Sequence, residues 1–242
     1  MIEIKPLGDK AIKVSFGKEI SEMIHQKIKQ FITQLEAANI IGIIELVPAY
    51  NSVAIYYQPE FISFNVLVNR IKKIYKTFGI EAPVQSIVYE IPVYYGGATG
   101  PDLSYIADYH KMSKEDVIEL HSSQEYLIYM LGFVPGFPYL GGLPKKLAVP
   151  RLEHPRPSVA AGSVGIGGNQ TGIYPSVVPS GWRILGVTPV TLFDIKKTPP
   201  SLFSTGNYIK FDPIDGDEFT RIKQLVNERK YTVKTYRKGL GE

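Results

Sequence analysis

Apolar residues in the first ninety positions recur with two periods. Ile20, Ile24, Ile28, Phe31, Ile32 and Leu35 fall at i, i+4, i+8, i+11, i+12 and i+15, the stripe of one helix face. Phe61, Phe64, Leu67, Val68, Ile71, Ile74, Tyr75 and Phe78 form a second stripe, closed by Gly79. Between and around them, Ala11–Phe16, Ile40–Val47, Ser52–Tyr57 and Val84–Val93 have the composition of strands, with Pro48-Ala49-Tyr50-Asn51 as a hairpin turn. This βαββαβ order predicts a ferredoxin-like α/β unit over residues 1–93.

The pattern then changes. Tyr94–Pro101 (YYGGATGP) has the composition of a linker. Ser113 and Asp116 have capping-box spacing ahead of Val117, Ile118 and Leu120, so short helices are expected to lead the second part. From Tyr126 onward, short β-rich runs with dense turns and no repeat period predict a closed barrel. One further helix is expected from Gly216 to about Lys230. The expected fold class is α+β, with a β-barrel domain over residues 94–242.

Composition narrows the chemistry. The 242-residue chain is 44% hydrophobic, enough for a sizeable core, and has no cysteine. Disulfides, thiolate metal sites and a cysteine nucleophile are thereby excluded, in keeping with a reducing compartment. The start MIEIKPLGDK has no apolar h-region, and the longest apolar run, Ile40–Val47, is broken by Gly42 and Glu45. A cytoplasmic protein without a membrane partner is expected. The net charge of +4 is concentrated in seven basic residues between Arg221 and Lys238, opposed there only by Glu228. With only Tyr231 and Tyr236 available for stacking, this is a solvated helix face and tail; no nucleic-acid partner is expected.

Candidate chemistry gathers between Gly132 and Pro189, where 11 glycines and 9 prolines stand among 58 residues. They are interleaved with Phe133, Phe137, Tyr139, Ile173, Tyr174 and Trp182, which a disordered tract would lack. The loop GSVGIGGNQTG (162–172) fails the dinucleotide template at Gln170 and the P-loop template at Gly168. Ser163 lies in an elbow-like AGSVG, but the glycines that follow deny it the helix a nucleophile elbow needs. None of His25, His110, His121 and His154 has metal-ligand spacing, so no metal site is expected. His25 is placed on the outer face of the first helix, and His121 at a helix end that favours a cationic or hydrogen-bonding imidazole. His154, between Arg151 and Arg156, is the candidate base, since cationic neighbours favour neutral imidazole. Arg151, Arg156 and Arg183 are candidates for bidentate anion grip. Gln170, Thr171 and Tyr174 add neutral hydrogen-bonding groups for a small anionic amide or acid.

The segments LGFVPGFPYLGGLP (131–144), PRLEHPRPSVAAGSVGIGGNQTGIYP (150–175) and GWRILGVTPVTLFD (181–194), with PLGDKAI (6–12), resemble the allophanate hydrolase subunit 1 family. The resemblance implies a small α/β domain followed by a cyclophilin-like barrel. It also implies ATP-dependent opening of 5-oxo-L-proline to L-glutamate, with ATP as co-substrate at a site shared with a partner. The partners implied are a homologous second subunit and a third, lactam-handling subunit. On this reading Arg151 and Arg156, with His154 as water-activating base, are the catalytic candidates. Arg183, Gln170, Thr171, Tyr174 and Phe137 bind substrate, and Phe133 and Tyr139 add walls. Family members also include KipI-like inhibitors of sensor histidine kinases and urea or allophanate pathway subunits, the alternative functions. Ala160, Ser180 and Val187 depart from the family pattern VPAGS, PGGW and GRTP, leaving no charge at 187.

Overall fold

The computed structural model describes residues 2–76 and 86–239, in two compact units that divide between Val84 and Gln85. The first unit contains β1 (Glu3–Pro6), β2 (Ala11–Ser15), α1 (Glu22–Ala37), β3 (Ile43–Pro48), β4 (Ser52–Tyr57) and α2 (Phe64–Lys76). Its sheet has the order β1-β2-β4-β3 and is antiparallel throughout. Ile12 and Val14 on β2, and Val53, Ile55 and Tyr57 on β4, alternate onto one face, where they pack with Ile28, Phe31, Leu35, Leu67 and Ile71 from the helices. Ser21 starts α1 by accepting the Ile24 N–H at 3.3 Å. Ile20 thus lies outside the helix, 57% exposed.

Two expectations are corrected here. The order is ββαββα rather than βαββαβ: β1 takes the outer sheet position beside β2, and the strand expected to close this unit belongs to the second one. EIKP escapes pattern reading because it is short, half polar and ends in proline, as edge strands often do. His25 is not on the surface but buried, at 3% exposure, and burial lowers its pKa to about 4. The Phe78 and Gly79 end of the second helical stripe, and the Val84 start of the fourth expected strand, lie outside the described residues.

The second unit begins with β5 (Ile87–Tyr95), α3 (Leu103–His110) and α4 (Lys114–Ser122). The strands β6 (Glu125–Leu131), β7 (Pro138–Gly141), β8 (Arg156–Val159), β9 (Ser163–Gly167), β10 (Gln170–Ile173), β11 (Val178–Ser180), β12 (Arg183–Val187) and β13 (Tyr208–Ile214) follow. Helix α5 (Gly216–Asn227) and β14 (Lys234–Arg237) complete it. The main sheet runs β10-β9-β12-β5-β13-β6-β7, and β14 adds to β5. It curls into a nearly closed barrel around Ile91, Val93, Tyr126, Ile128, Val164, Ile173, Ile209 and Phe211. β8 and β11 form a separate two-stranded ribbon, in which Ser180 lies opposite Arg156.

The expected boundary at residue 93 therefore moves to 84, and Tyr94–Pro101 is no linker. Tyr94 and Tyr95 finish β5, and the turn after them is bound to β12 through Gly96 N–H on Leu185 O at 2.9 Å. Gly100 passes so close to Leu185 O that a Cβ there would stand 1.9 Å from it. The glycines of this segment permit close backbone packing, which in sequence looks the same as flexibility. Downstream, α4 carries the expected capping box between Ser113 and Asp116. The basic stretch is mostly solvated, but Lys238 pairs with Glu125 at 2.6 Å and lies 3.9 Å above the Tyr208 ring, fastening β14 to the barrel.

Candidate active-site pocket

Residues from three strands (β7, β10 and β11) and the loops around them make an aromatic pocket in the barrel unit. Phe133, Phe137, Tyr139, Arg151, Gln170, Tyr174, Ser180 and Trp182 line it, and its volume is about 220 Å³. That is below the roughly 300–1,000 Å³ of drug-sized sites and suits a small ligand. Phe137 is its centre, with its ring 5.2 Å from Tyr139, 5.4 Å from Tyr174 and 5.8 Å from Trp182 and Phe133. The edge-to-face and tilted geometries of these pairs fix the rings mutually. Phe133 sits at the tip of the β6–β7 hairpin, 65% exposed, in the left-handed backbone region with φ +68°.

Glycine spacing explains how a tryptophan fits into a strand-lined wall. A Cβ on Gly167 would stand 2.3 Å from Trp182 Cδ1 and Nε1, and one on Gly172 would stand 3.2 Å from its Cζ3. The indole therefore lies directly on the backbone of β9 and β10. At its rim, the Arg151 guanidinium stands 5.8 Å from the ring centroid. The Tyr174 and Ser180 hydroxyls are hydrogen-bonded to each other, and Ser180 Oγ accepts the Trp182 N–H at 3.0 Å. Burial pushes the Tyr174 phenol up, against the bond from Ser180 and the charge of Arg151.

The segment behind Trp182 is held by a residue that pattern reading missed. Asp102, 5% exposed, accepts the Ile184 N–H at 2.6 Å and the Arg156 guanidinium at 2.9 Å. Its backbone N–H also donates to Ile184 O at 3.0 Å. Arg183 approaches the same carboxylate at 3.7 Å and stacks on Tyr105 at 3.6 Å. Arg156 closes the loop by donating to Trp182 O at 3.3 Å. Two of the three candidate arginines are thus clasped by one carboxylate, and Arg151 is the one that lines the aromatic pocket.

The structure brings Arg151, Gln170, Tyr174 and Phe137 together in this pocket, with Phe133 and Tyr139 as walls. Arg156 instead borders a second cavity of about 300 Å³, with Ser158, Ser163, Ile184 and Val187. His154 is exposed in the bend before β8 and lines neither cavity. Thr171 faces the barrel core, where its hydroxyl donates to Gly165 O at 3.1 Å and bonds His121 Nε2 at 2.8 Å.

That last contact settles the state of His121. The single Thr171 hydrogen is committed to Gly165 O, so Nε2 carries a hydrogen and donates to Thr171. Nδ1 then accepts from the Tyr95 hydroxyl at 2.8 Å. The ring is fully buried and stacks on Phe211 at 4.5 Å, and burial lowers its pKa to about 3. His121 is a neutral pin between α4 and the barrel rather than a helix-end cation. Unfolded, it takes up its proton near pH 6.5; folded, only near pH 3. Between these values the unfolded chain binds more protons, so stability falls as pH drops through the window, by up to about 1.4 kcal/mol per pH unit. Urea midpoints read from tryptophan emission at pH 7.5, 6 and 5 should decline accordingly, while staying level from pH 7 to 8. A flat profile from pH 7.5 to 5 would refute the neutral assignment.

Among the described residues there is no group of three or more His, Cys, Asp or Glu fit to hold a metal ion, and no helix long and apolar enough to cross a membrane.

The chain matches the family model of the carboxyltransferase domain, subdomain C and D, over residues 2–203. It is 39% identical over 235 residues to a 5-oxoprolinase subunit of Bacillus subtilis, covering 93% of this chain and 98% of that one. It is also 39% identical to the corresponding 5-oxoprolinase subunit of Haemophilus influenzae, covering 87% of this chain and 97% of the relative. The crystal structure of TTHA0988 superposes with a TM-score of 0.75 at 34% identity, over 86% of this chain and 40% of that one, so this chain spans about two fifths of that longer protein. The resemblance read from the glycine- and proline-rich segments thus extends over nearly the whole sequence: the chain belongs to the carboxyltransferase subdomain C and D family and is similar to these 5-oxoprolinase subunits over most of its length.

Proposed function

We propose that this chain is a subunit of a cytoplasmic 5-oxoprolinase and that the aromatic pocket binds 5-oxo-L-proline. The observation that carries the reading is near-full-length identity of 39% to the 5-oxoprolinase subunits of two bacteria. The pocket chemistry agrees with it. A five-membered lactam offers two apolar ring faces, one carboxylate and one amide. Phe137, Tyr139 and Trp182 match the faces, Arg151 matches the carboxylate, and Gln170 and Tyr174 match the amide. A lactam is a poor electrophile, so ATP is proposed as co-substrate that activates the carbonyl before water attacks. The homologous second subunit and the lactam-handling third subunit are proposed to complete the enzyme, with the ATP site shared between chains.

The test is ATP-dependent glutamate release from 5-oxo-L-proline by this chain alone and co-expressed with its neighbouring subunits. Release by the assembled complex, and at most a trace by the chain alone, is expected. A verified complex that releases no glutamate refutes the reading.

A further inference from the structure

The two hydroxyls at the base of the aromatic pocket can be audited hydrogen by hydrogen. Tyr174 and Ser180 have two hydrogens between them, and the bond that joins them uses one. Ser180 Oγ also accepts the Trp182 N–H at 3.0 Å. Among the described residues the second hydrogen has no acceptor on the chain, and both residues line the cavity. A ligand that fills the cavity and displaces water must bring an acceptor to this hydrogen or leave it unpaired at a cost.

Two arrangements satisfy the count. If Tyr174 donates to Ser180, the serine oxygen must accept twice while its own hydrogen turns to the cavity. If Ser180 donates to Tyr174, each oxygen accepts once and donates once. A continuous chain then runs from Trp182 N–H through Ser180 and Tyr174 to the ligand. Each link in such a chain polarises the next, which favours the second arrangement when a strong acceptor is bound. Its origin is a backbone N–H fixed by the clasp behind Trp182, so the chain has a rigid start. Burial holds Tyr174 in its protonated form, ready to donate.

We infer that Tyr174 donates its hydroxyl hydrogen to the carbonyl oxygen of the bound lactam and is the residue by which the site distinguishes a cyclic amide from a saturated ring acid. The inference rests on the reading of this pocket as the lactam site. Arg151, at the rim, takes the carboxylate; the hydroxyl chain, at the base, takes the carbonyl. The ligand class is a small ring with a carboxylate and a carbonyl on opposite sides of the ring heteroatom.

Trp182 is the chain's single tryptophan and lies in the pocket, so its emission reports occupancy directly. Affinities for 5-oxo-L-proline and for tetrahydrofuran-2-carboxylate, which has the ring and carboxylate without the carbonyl, are to be measured on the full chain and on the co-expressed complex. Tyr174→Phe keeps the ring against Phe137 and Trp182. It should weaken 5-oxo-L-proline binding about 10–100-fold and leave the tetrahydrofuran acid within about twofold, erasing the preference. Ser180→Ala removes the polarising link together with the acceptor of the Trp182 N–H, and should cost about two- to fivefold for the lactam. Retention of the lactam preference by Tyr174→Phe, or a Ser180→Ala loss larger than that of Tyr174→Phe, overturns the inference. Should 5-oxo-L-proline leave the emission of the unmutated protein unchanged, alone and in complex, the pocket reading itself fails.

Discussion

Asp102→Ala is expected to destabilise the barrel unit by about 3 kcal/mol, the lower end of what removing one partner from a buried ion pair costs. The lower end applies because the Arg156 side chain is 30% exposed and can recover some hydration, whereas that of Arg183 is only 14% exposed. Removing the carboxylate leaves two guanidinium groups beside each other and an unsatisfied Ile184 N–H. At roughly 2–4 °C per kcal/mol for a chain of this size, the melting temperature should fall by about 6–12 °C. Asp102→Asn keeps an acceptor for Ile184 but no charge, so an intermediate loss is expected. Trp182 is the right probe because the α/β unit has no tryptophan, and its own unfolding does not enter the signal. Melting of Asp102→Ala within about 1 °C of the unmutated protein would show that the clasp does not hold this segment.

Gly167→Ala is expected to expel the indole from the pocket. The new methyl would overlap three indole atoms at 2.3–2.6 Å, and the ring cannot retreat because Phe137 and Tyr174 pack against it at 5.8 and 6.0 Å. Overpacking of this kind costs about 1–3 kcal/mol or more. The emission should shift to the red as the indole meets water, and its response to 5-oxo-L-proline should vanish. Gly168→Ala is the informative neighbour: a Cβ there meets nothing within 4 Å, and only its φ of +67° resists substitution. That variant should lose about 1 kcal/mol and keep the emission spectrum. Equal spectra for the two variants would remove Gly167 from its role as the floor under Trp182.

The contrast between these glycines and Asp102 shows what pattern reading reaches and what it does not. Helices α1, α2 and α4, the β3–β4 hairpin and the barrel are written locally, in periods, caps and turns. The aromatic walls and Arg151 were legible because aromatics and single charges stand out in a glycine- and proline-rich segment. Asp102 was not, since its partners are 54 and 82 residues away and its own neighbourhood, GPDL, resembles any helix start. An acid directly before an apolar helix is the one signal present, and it points to a cap rather than to a clasp. His121 and Thr171 are 50 residues apart and meet only when the barrel closes. The strand Ile87–Tyr95 has the same composition in either sheet; only pairing with β12, β13 and β14 assigns it to the barrel.

Phe133 places the pocket's rim under a different kind of selection from its floor. Its left-handed backbone costs on the order of 1–2 kcal/mol in a residue with a Cβ, and its exposed ring returns little of that to the fold. The buried floor of the site is protected by folding itself, because Trp182, Tyr174 and Gly167 cannot change without loss of stability. Position 133 has no such protection: a lineage that stopped using the pocket would gain stability by drifting to glycine there, and the hairpin tip would be the first part of the site to erode.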